Sequence, residues 1–134
     1  MPGSFFDTNT LIYLASGDDR KADRVERLLA DGGMISVQVL NEFANSARRK
    51  FNWPWEEIDA FLSMVRGLVE VVPLTVENHE TGLALSERYG ISVYDGQIVA
   101  AALLAGCDTL WSEDMHDGLL VADQLRIQNP FVTR

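Results

Sequence analysis

Basic charge is scarce in this chain, which carries eleven Lys and Arg against twenty Asp and Glu, for a formal net charge of −9. Binding a polyphosphate normally requires a basic surface, so the overall balance argues against a nucleic-acid partner. Cysteine is scarcer still. The single Cys107 excludes an internal disulfide and has no partner at metal-ligand spacing, which leaves it as a small buried residue. Long apolar runs are missing as well. Nothing approaches the roughly 20 uninterrupted apolar residues of a membrane helix, and "MPGSFFD" has neither the basic nor the apolar region of a signal peptide. A cytoplasmic protein with no membrane association is expected. With no internal repeat or low-complexity linker, 134 residues at 47% hydrophobic content read as one domain over residues 1–134 with a real core.

The distribution of charge softens the objection to nucleic acid. Seven of the eleven cations fall in two groups within the first fifty positions, Arg20, Lys21, Arg24 and Arg27, then Arg48, Arg49 and Lys50. Those fifty residues are balanced by seven acids, so the whole excess of negative charge lies after them. Any basic surface is therefore built from the N-terminal part.

Apolar runs alternate with helical patterns along the chain. "SFF", "MISV", "LVEVVPL", "TLWS" and "RIQN" read as strands. Helices are predicted over "TLIYLA", over "RKADRVERLLADGG" ending at its Gly pair, from Gln38 to about Phe51, from about Glu56 to Arg66, and over roughly 76–89 and 94–105. In the third of these, Val37, Leu40, Ala44 and Ala47 form the expected buried stripe. Strands joined by helical crossovers imply an α/β fold, a three-layer α/β/α arrangement with a mainly parallel sheet of about five strands. In such folds sites gather beyond the carboxyl ends of the strands.

Acids stand at those ends. Asp7 follows "SFF", Glu42 lies on the helix after "MISV", Asp95 opens an apolar helix, and Asp114 follows "TLWS". Taken singly, each has an ordinary structural use. Asp7 suits a helix cap, Asp95 fits the third place of a Ser92-x-x-Asp95 capping box, and "SEDMHDG" suits an acidic turn closed by Gly118. Glu42 sits mid-helix with Gln38 and Asn45 on a polar strip that a solvent-facing surface would also explain. Recurrence shifts the balance, because four separate caps or turns need not converge on one edge of one sheet.

The residues also carry a resemblance. "FFDTNTLIYL", "SVQVLNEF" and "YDGQIVAAALLAGCDTLWSED" resemble, in order and spacing, the successive motifs of the PIN domain, in particular the VapC-type ribonuclease toxins of bacterial toxin–antitoxin pairs. The resemblance implies a metal-dependent endoribonuclease whose acidic tetrad falls on Asp7, Glu42, Asp95 and Asp114. It places Asn9 and Ser112 in supporting positions beside the ligands and matches Asp117 to a less regular additional acid. It further implies an RNA substrate, a cognate antitoxin and a homodimer.

The residue types agree with that chemistry. Ligands that offer only oxygen, with neither His nor Cys among them, favour Mg²⁺ or Mn²⁺ over zinc. A water polarised by such an ion attacks phosphate near neutral pH without a general-base histidine, so His79 and His116 are assigned no role. For RNA contact, "ARRKFNWPW" combines Arg48, Arg49 and Lys50 with Phe51, Trp53 and Trp55, although the tryptophans equally suit a core or an interface. The group at Arg20, Arg24 and Arg27 ranks second, since the interleaved Asp23 and Glu26 suggest a self-paired surface. Around "FNWPWEEIDAFL" the resemblance implies a groove for an antitoxin helix. Two rivals remain. A phosphoryl-accepting receiver domain lacks its acceptor Asp in "LVEVVPL" and any Lys after Lys50, and a PIN-like domain that binds RNA or a partner without cutting is the alternative.

Overall fold

A computed structural model describes residues 3–132. The elements run β1 (Ser4–Phe6), α1 (Thr8–Ala15), α2 (Asp19–Leu29), β2 (Met34–Ser36), α3 (Val37–Arg49), α4 (Trp55–Leu68), β3 (Glu70–Val72), α5 (Val76–Tyr89), α6 (Val93–Leu104), β4 (Thr109–Trp111), β5 (Leu120–Val121) and β6 (Leu125–Gln128). The strands form one sheet in the order β3-β2-β1-β4-β6-β5, parallel throughout except for β5, and the helices complete a three-layer α/β/α sandwich. Among the described residues no helix is long and apolar enough to cross a membrane.

Burial explains which strands sit in the middle. Phe5 and Phe6 are adjacent and both fully buried, the pattern of a strand covered on both faces, and β1 pairs with β2 on one side and β4 on the other. Leu110 of β4 and Ile127 of β6 continue the same core. β1 and β4 run side by side in register Phe5↔Leu110 and Phe6↔Trp111, so the residues following them, 7 and 112, emerge together at one edge. Ser36 closes β2 and caps α3, its Oγ accepting from the Val39 N–H, so α3 begins without an intervening loop.

One expectation gains a detail and one needs correction. The mainly parallel sheet holds the five strands expected, and β5 adds a short antiparallel sixth at its edge among the described residues. Its turn to β6 puts Ala122 and Asp123 at φ 48° and 56°, a left-handed geometry usually announced by Asn-Gly, which this sequence does not contain. The buried stripe of α3 is Val39, Phe43 and Ala47, with Leu40 and Ala44 half-buried beside it and Val37 likewise. α3 packs against α1, α4 and α6 at once, and this rotates the fully covered line by one position from the one expected.

α5 and α6 approach closely. Gly82 and Gly96 face each other across the pair, where an added Cβ at Gly96 would run into Ser86 Oγ and the Gly82 carbonyl, and one at Gly82 into the Gln97 side chain. Between them Asn78 Nδ2 donates to the backbone oxygen of Gln97 at 3.1 Å and to its Oε1 at 3.0 Å. This packing sets the start of α6, and with it Asp95.

Candidate active site

Asp7 follows β1 directly and is 4% exposed. Its Oδ1 accepts from the Thr8 N–H at 2.7 Å, which makes it the N-cap of α1, while Oδ2 accepts from Ser112 Oγ at 2.7 Å and from Asn9 Nδ2 at 3.3 Å. Cap and candidate ligand are thus the same residue. Burial pushes its carboxyl up to about 7, the hydrogen bonds from Ser112 and Thr8 oppose this, and the charges of Asp95 and Glu42 raise it further.

The other acids face the same region from three directions. Glu42, on the second turn of α3, accepts from Thr8 Oγ1 at 3.0 Å and from Gln38 Nε2 at 2.7 Å. Asp95 lies in the first turn of α6, where its N–H donates to Ser92 Oγ at 3.1 Å, and its carboxylate lies within electrostatic reach of Glu42 and Asp114. Burial raises Asp95 above the usual carboxylate range, and the charges of Glu42 and Asp114 add to the rise while Ser92 opposes it. Asp114 is exposed beyond β4. Mutual repulsion therefore links all four, Asp7 with Asp95 and Glu42, and Asp95 with Glu42 and Asp114.

Electrostatic reach is wider than ligating distance. Among the described residues, no three His, Cys, Asp or Glu side chains stand close enough together to hold a metal ion as placed. The donor chemistry nonetheless suits a hard ion such as Mg²⁺, which keeps several waters and needs only one or two direct carboxylates.

Supporting residues tie the edge together. Ser112 is fully buried, and besides donating to Asp7 it accepts the Met115 N–H at 3.3 Å. Asn9 donates to Asp7 and accepts the Glu113 N–H at 3.3 Å, joining the ends of β1 and β4 a second time. Glu113 turns elsewhere. Its carboxylate takes Tyr13 Oη at 2.7 Å and Lys21 Nζ at 2.8 Å. Asp117 is exposed, and its Oδ1 accepts the Asn129 N–H at 2.8 Å, which anchors the segment after β6; Gly118 makes the turn at φ 91°. Of the partners of Glu42, Gln38 stands one turn before it on the polar strip read from the sequence, whereas Thr8 carries no sequence signal that singles it out.

Arg48, Arg49 and Lys50 are exposed at the end of α3, about 9–12 Å farther along its axis than Glu42. Arg48 donates to the Trp53 carbonyl at 3.1 Å and lies over the Trp55 ring at 5.2 Å. The two tryptophans differ. Trp53 packs edge-on to Phe43 and Phe61, whereas Trp55 is 62% exposed. A cleft of about 260 Å³ opens beside them, walled by Ile12, Phe43, Ala47, Phe51 and Trp53.

The PIN domain family matches residues 4–116, and the chain belongs to that family. No curated protein matches it at a significant level. Among solved structures it is similar to a toxin–antitoxin complex from Klebsiella pneumoniae, at 21% identity and TM-score 0.72, over 96% of this chain and 98% of that one. VapC20 of Mycobacterium tuberculosis, described as a Sarcin-Ricin loop cleaving toxin, aligns at 21% identity and TM-score 0.68 over 83% and 91% of the two chains. VapBC2 of Rickettsia felis, bound to a DNA fragment from its promoter, aligns at 20% identity and TM-score 0.67 over 94% and 97%.

Proposed function

We propose that this PIN-domain protein is a metal-dependent endoribonuclease of the VapC type, hydrolysing RNA phosphodiester bonds as the toxin of a toxin–antitoxin pair. The observation that carries the reading is the gathering of acids at the carboxyl edge of a parallel sheet, where Thr8 donates to both Asp7 and Glu42, Ser112 ties Asp7 to the end of β4 just before Asp114, and Asp95 lies within electrostatic reach of the others. Similarity in fold to VapC20, an RNA-cleaving toxin, supports it.

Asp7, Glu42, Asp95 and Asp114 are the residues that would hold Mg²⁺ or Mn²⁺, with Asp117 as an outlying further ligand. The chemistry such an ion supplies when bound is polarisation of a water and neutralisation of charge on the scissile phosphate. Ser112 and Asn9 fix the Asp7 carboxylate by donating to the same oxygen, Oδ2. Gln38 and Thr8 hold the two oxygens of Glu42 in the same way. Arg48, Arg49 and Lys50 supply positive charge for substrate phosphates on the α3 side.

The apolar cleft at Phe43, Phe51 and Trp53 suits the nonpolar face of an antitoxin helix, and toxin–antitoxin assemblies among the similar structures support such a partner. A homodimer is consistent with the exposed Val76, Leu83 and Tyr94 on α5 and α6, and light scattering on the purified protein tests it. Sequencing of RNA ends in cells after induction of wild type and Asp114→Asn tests the whole reading. New ends are expected only with wild type, and purified protein should cleave RNA with Mn²⁺ and not with EDTA. An RNA-binding domain without nuclease activity would give no new ends in either case.

A further inference from the structure

A second cleft, of about 630 Å³, lies between α2 and the segment after β6, and its lining is unlike the rest of this acidic protein. Arg20, Lys21, Arg24 and Arg27 all line it, facing Trp111 and Phe131. Two of the four cations are committed. Lys21 pairs with Glu113 at 2.8 Å and sits over the Tyr13 and Phe131 rings at 4.1 and 4.8 Å, and Arg24 donates to the Pro130 carbonyl at 2.8 Å while its guanidinium lies 5.8 Å from the Trp111 ring. Arg20 and Arg27 make no ion pair among the described residues, although Asp23 and Glu26 are their neighbours on the helix. Asp23 and Glu26 stand beside Arg27 on the adjoining surface, and Asp18 is the one acid in the lining of the cleft, against four cations. Trp111 lines the cleft while its Nε1 is buried without a hydrogen-bond partner among the described residues.

Position connects this cleft to the acids. Trp111 is the last residue of β4, immediately before Ser112, and Lys21 of the cleft wall pairs with Glu113, the residue before Asp114. Taking RNA as the substrate, as proposed above, we infer that this cleft binds single-stranded RNA next to the scissile bond, with Arg20 and Arg27 on backbone phosphates and the Trp111 and Phe131 walls against a base. Flat aromatic walls beside guanidinium groups suit a nucleotide strand better than an acidic peptide, which would use the charge and leave the rings idle. The neutral first fifty residues thus hold a local positive surface that meets the objection raised by the net charge.

Fluorescence anisotropy with a labelled single-stranded RNA oligomer in EDTA, over a salt series, measures binding apart from cleavage. Arg20→Glu with Arg27→Glu should weaken binding about tenfold and lower the salt slope by roughly 1–2, while Arg66→Glu with Arg88→Glu, matched in charge but remote, should not. Should the double charge reversal unfold the protein, Arg20→Gln with Arg27→Gln gives the same test in smaller measure. Wild-type affinity and slope in a folded cleft variant would overturn the inference. So would displacement of the RNA by polyglutamate or by AMP at the same concentration as by unlabelled RNA, which would assign the cleft to an acidic protein or a free nucleotide. Cleavage with Mn²⁺ separates the two readings. Loss of binding in the cleft variant of a protein that never cleaves keeps the cleft and rejects the nuclease, and wild-type binding in a variant that still cleaves does the reverse.

Discussion

Ser112 Oγ donates to Asp7 Oδ2 across 2.7 Å, joining residues 105 positions apart at the ends of two adjacent parallel strands. The bond is fully buried, so its loss leaves a carboxylate oxygen dependent on the longer contact from Asn9. Ser112→Ala should cost about 1–3 kcal/mol in urea unfolding at neutral pH, and should push Asp7 still higher. A loss below roughly 0.5 kcal/mol would show that the bond does not organise this edge.

Asp7 ties stability to pH. Burial lifts its carboxyl to about 7 in the folded chain, whereas the unfolded chain titrates near 3.8. Below both values each state keeps the proton. Between them the unfolded state has released it and the folded state has not, so stability of the metal-free protein falls as pH rises from about 4 to about 7 and then levels. Asp7→Asn should remove that slope and gain about 2–4 kcal/mol at pH 7.5 without metal. Millimolar Mn²⁺ should stabilise wild type by about 1–3 kcal/mol, and should do so more above pH 7 than at pH 5, because the ligand must shed its proton. Calorimetry in EDTA and in Mn²⁺ at both pH values would detect either failure.

Adjacent acids should behave differently. Asp114 is exposed, so Asp114→Asn should change the melting temperature little while abolishing RNA cleavage. Glu113→Gln disturbs a half-exposed pair with Lys21, worth no more than about 1 kcal/mol, and cleavage should survive within a few fold. Equal losses in the two variants would contradict the division of labour drawn between neighbouring positions.

Close packing of α5 on α6 makes Gly96 sensitive. A Cβ there meets the Gly82 carbonyl, which is backbone and cannot move aside by a rotamer change. Gly96→Ala should destabilise by about 1–3 kcal/mol and shift the first turn of α6, lowering Mn²⁺ affinity through Asp95. Ala at Gly67, where no atom lies within 4 Å, is the matched control and should not destabilise.

The helical periods and apolar runs made the element order readable, and Asp7 and Asp114 stood out because each follows a strand, whereas Glu42 lies inside α3 and Asp95 opens a helix that follows another helix. Other features lacked any local signal. β5 is two residues long and turns through Ala122 and Asp123, so neither period nor turn chemistry marks it. The basic face of α2 reads as self-paired because Asp23 and Glu26 are its neighbours in sequence. Its actual partners, Glu113 and the Pro130 carbonyl, lie 92 and 106 positions away, and no pattern within one helix reports them. Conversely, "FNWPW" reads as one aromatic patch, yet packing divides it into a half-buried Trp53 and an exposed Trp55.

The pairing of β1 with β4 has a consequence for how the protein is made. Asp7 is synthesised 105 positions before Ser112, and β4 is the strand that brings that serine and Asp114 beside it. A contact of such long range closes late. A growing polypeptide therefore carries no assembled acidic edge, and a chain broken off anywhere before β4 would leave the ribosome without one.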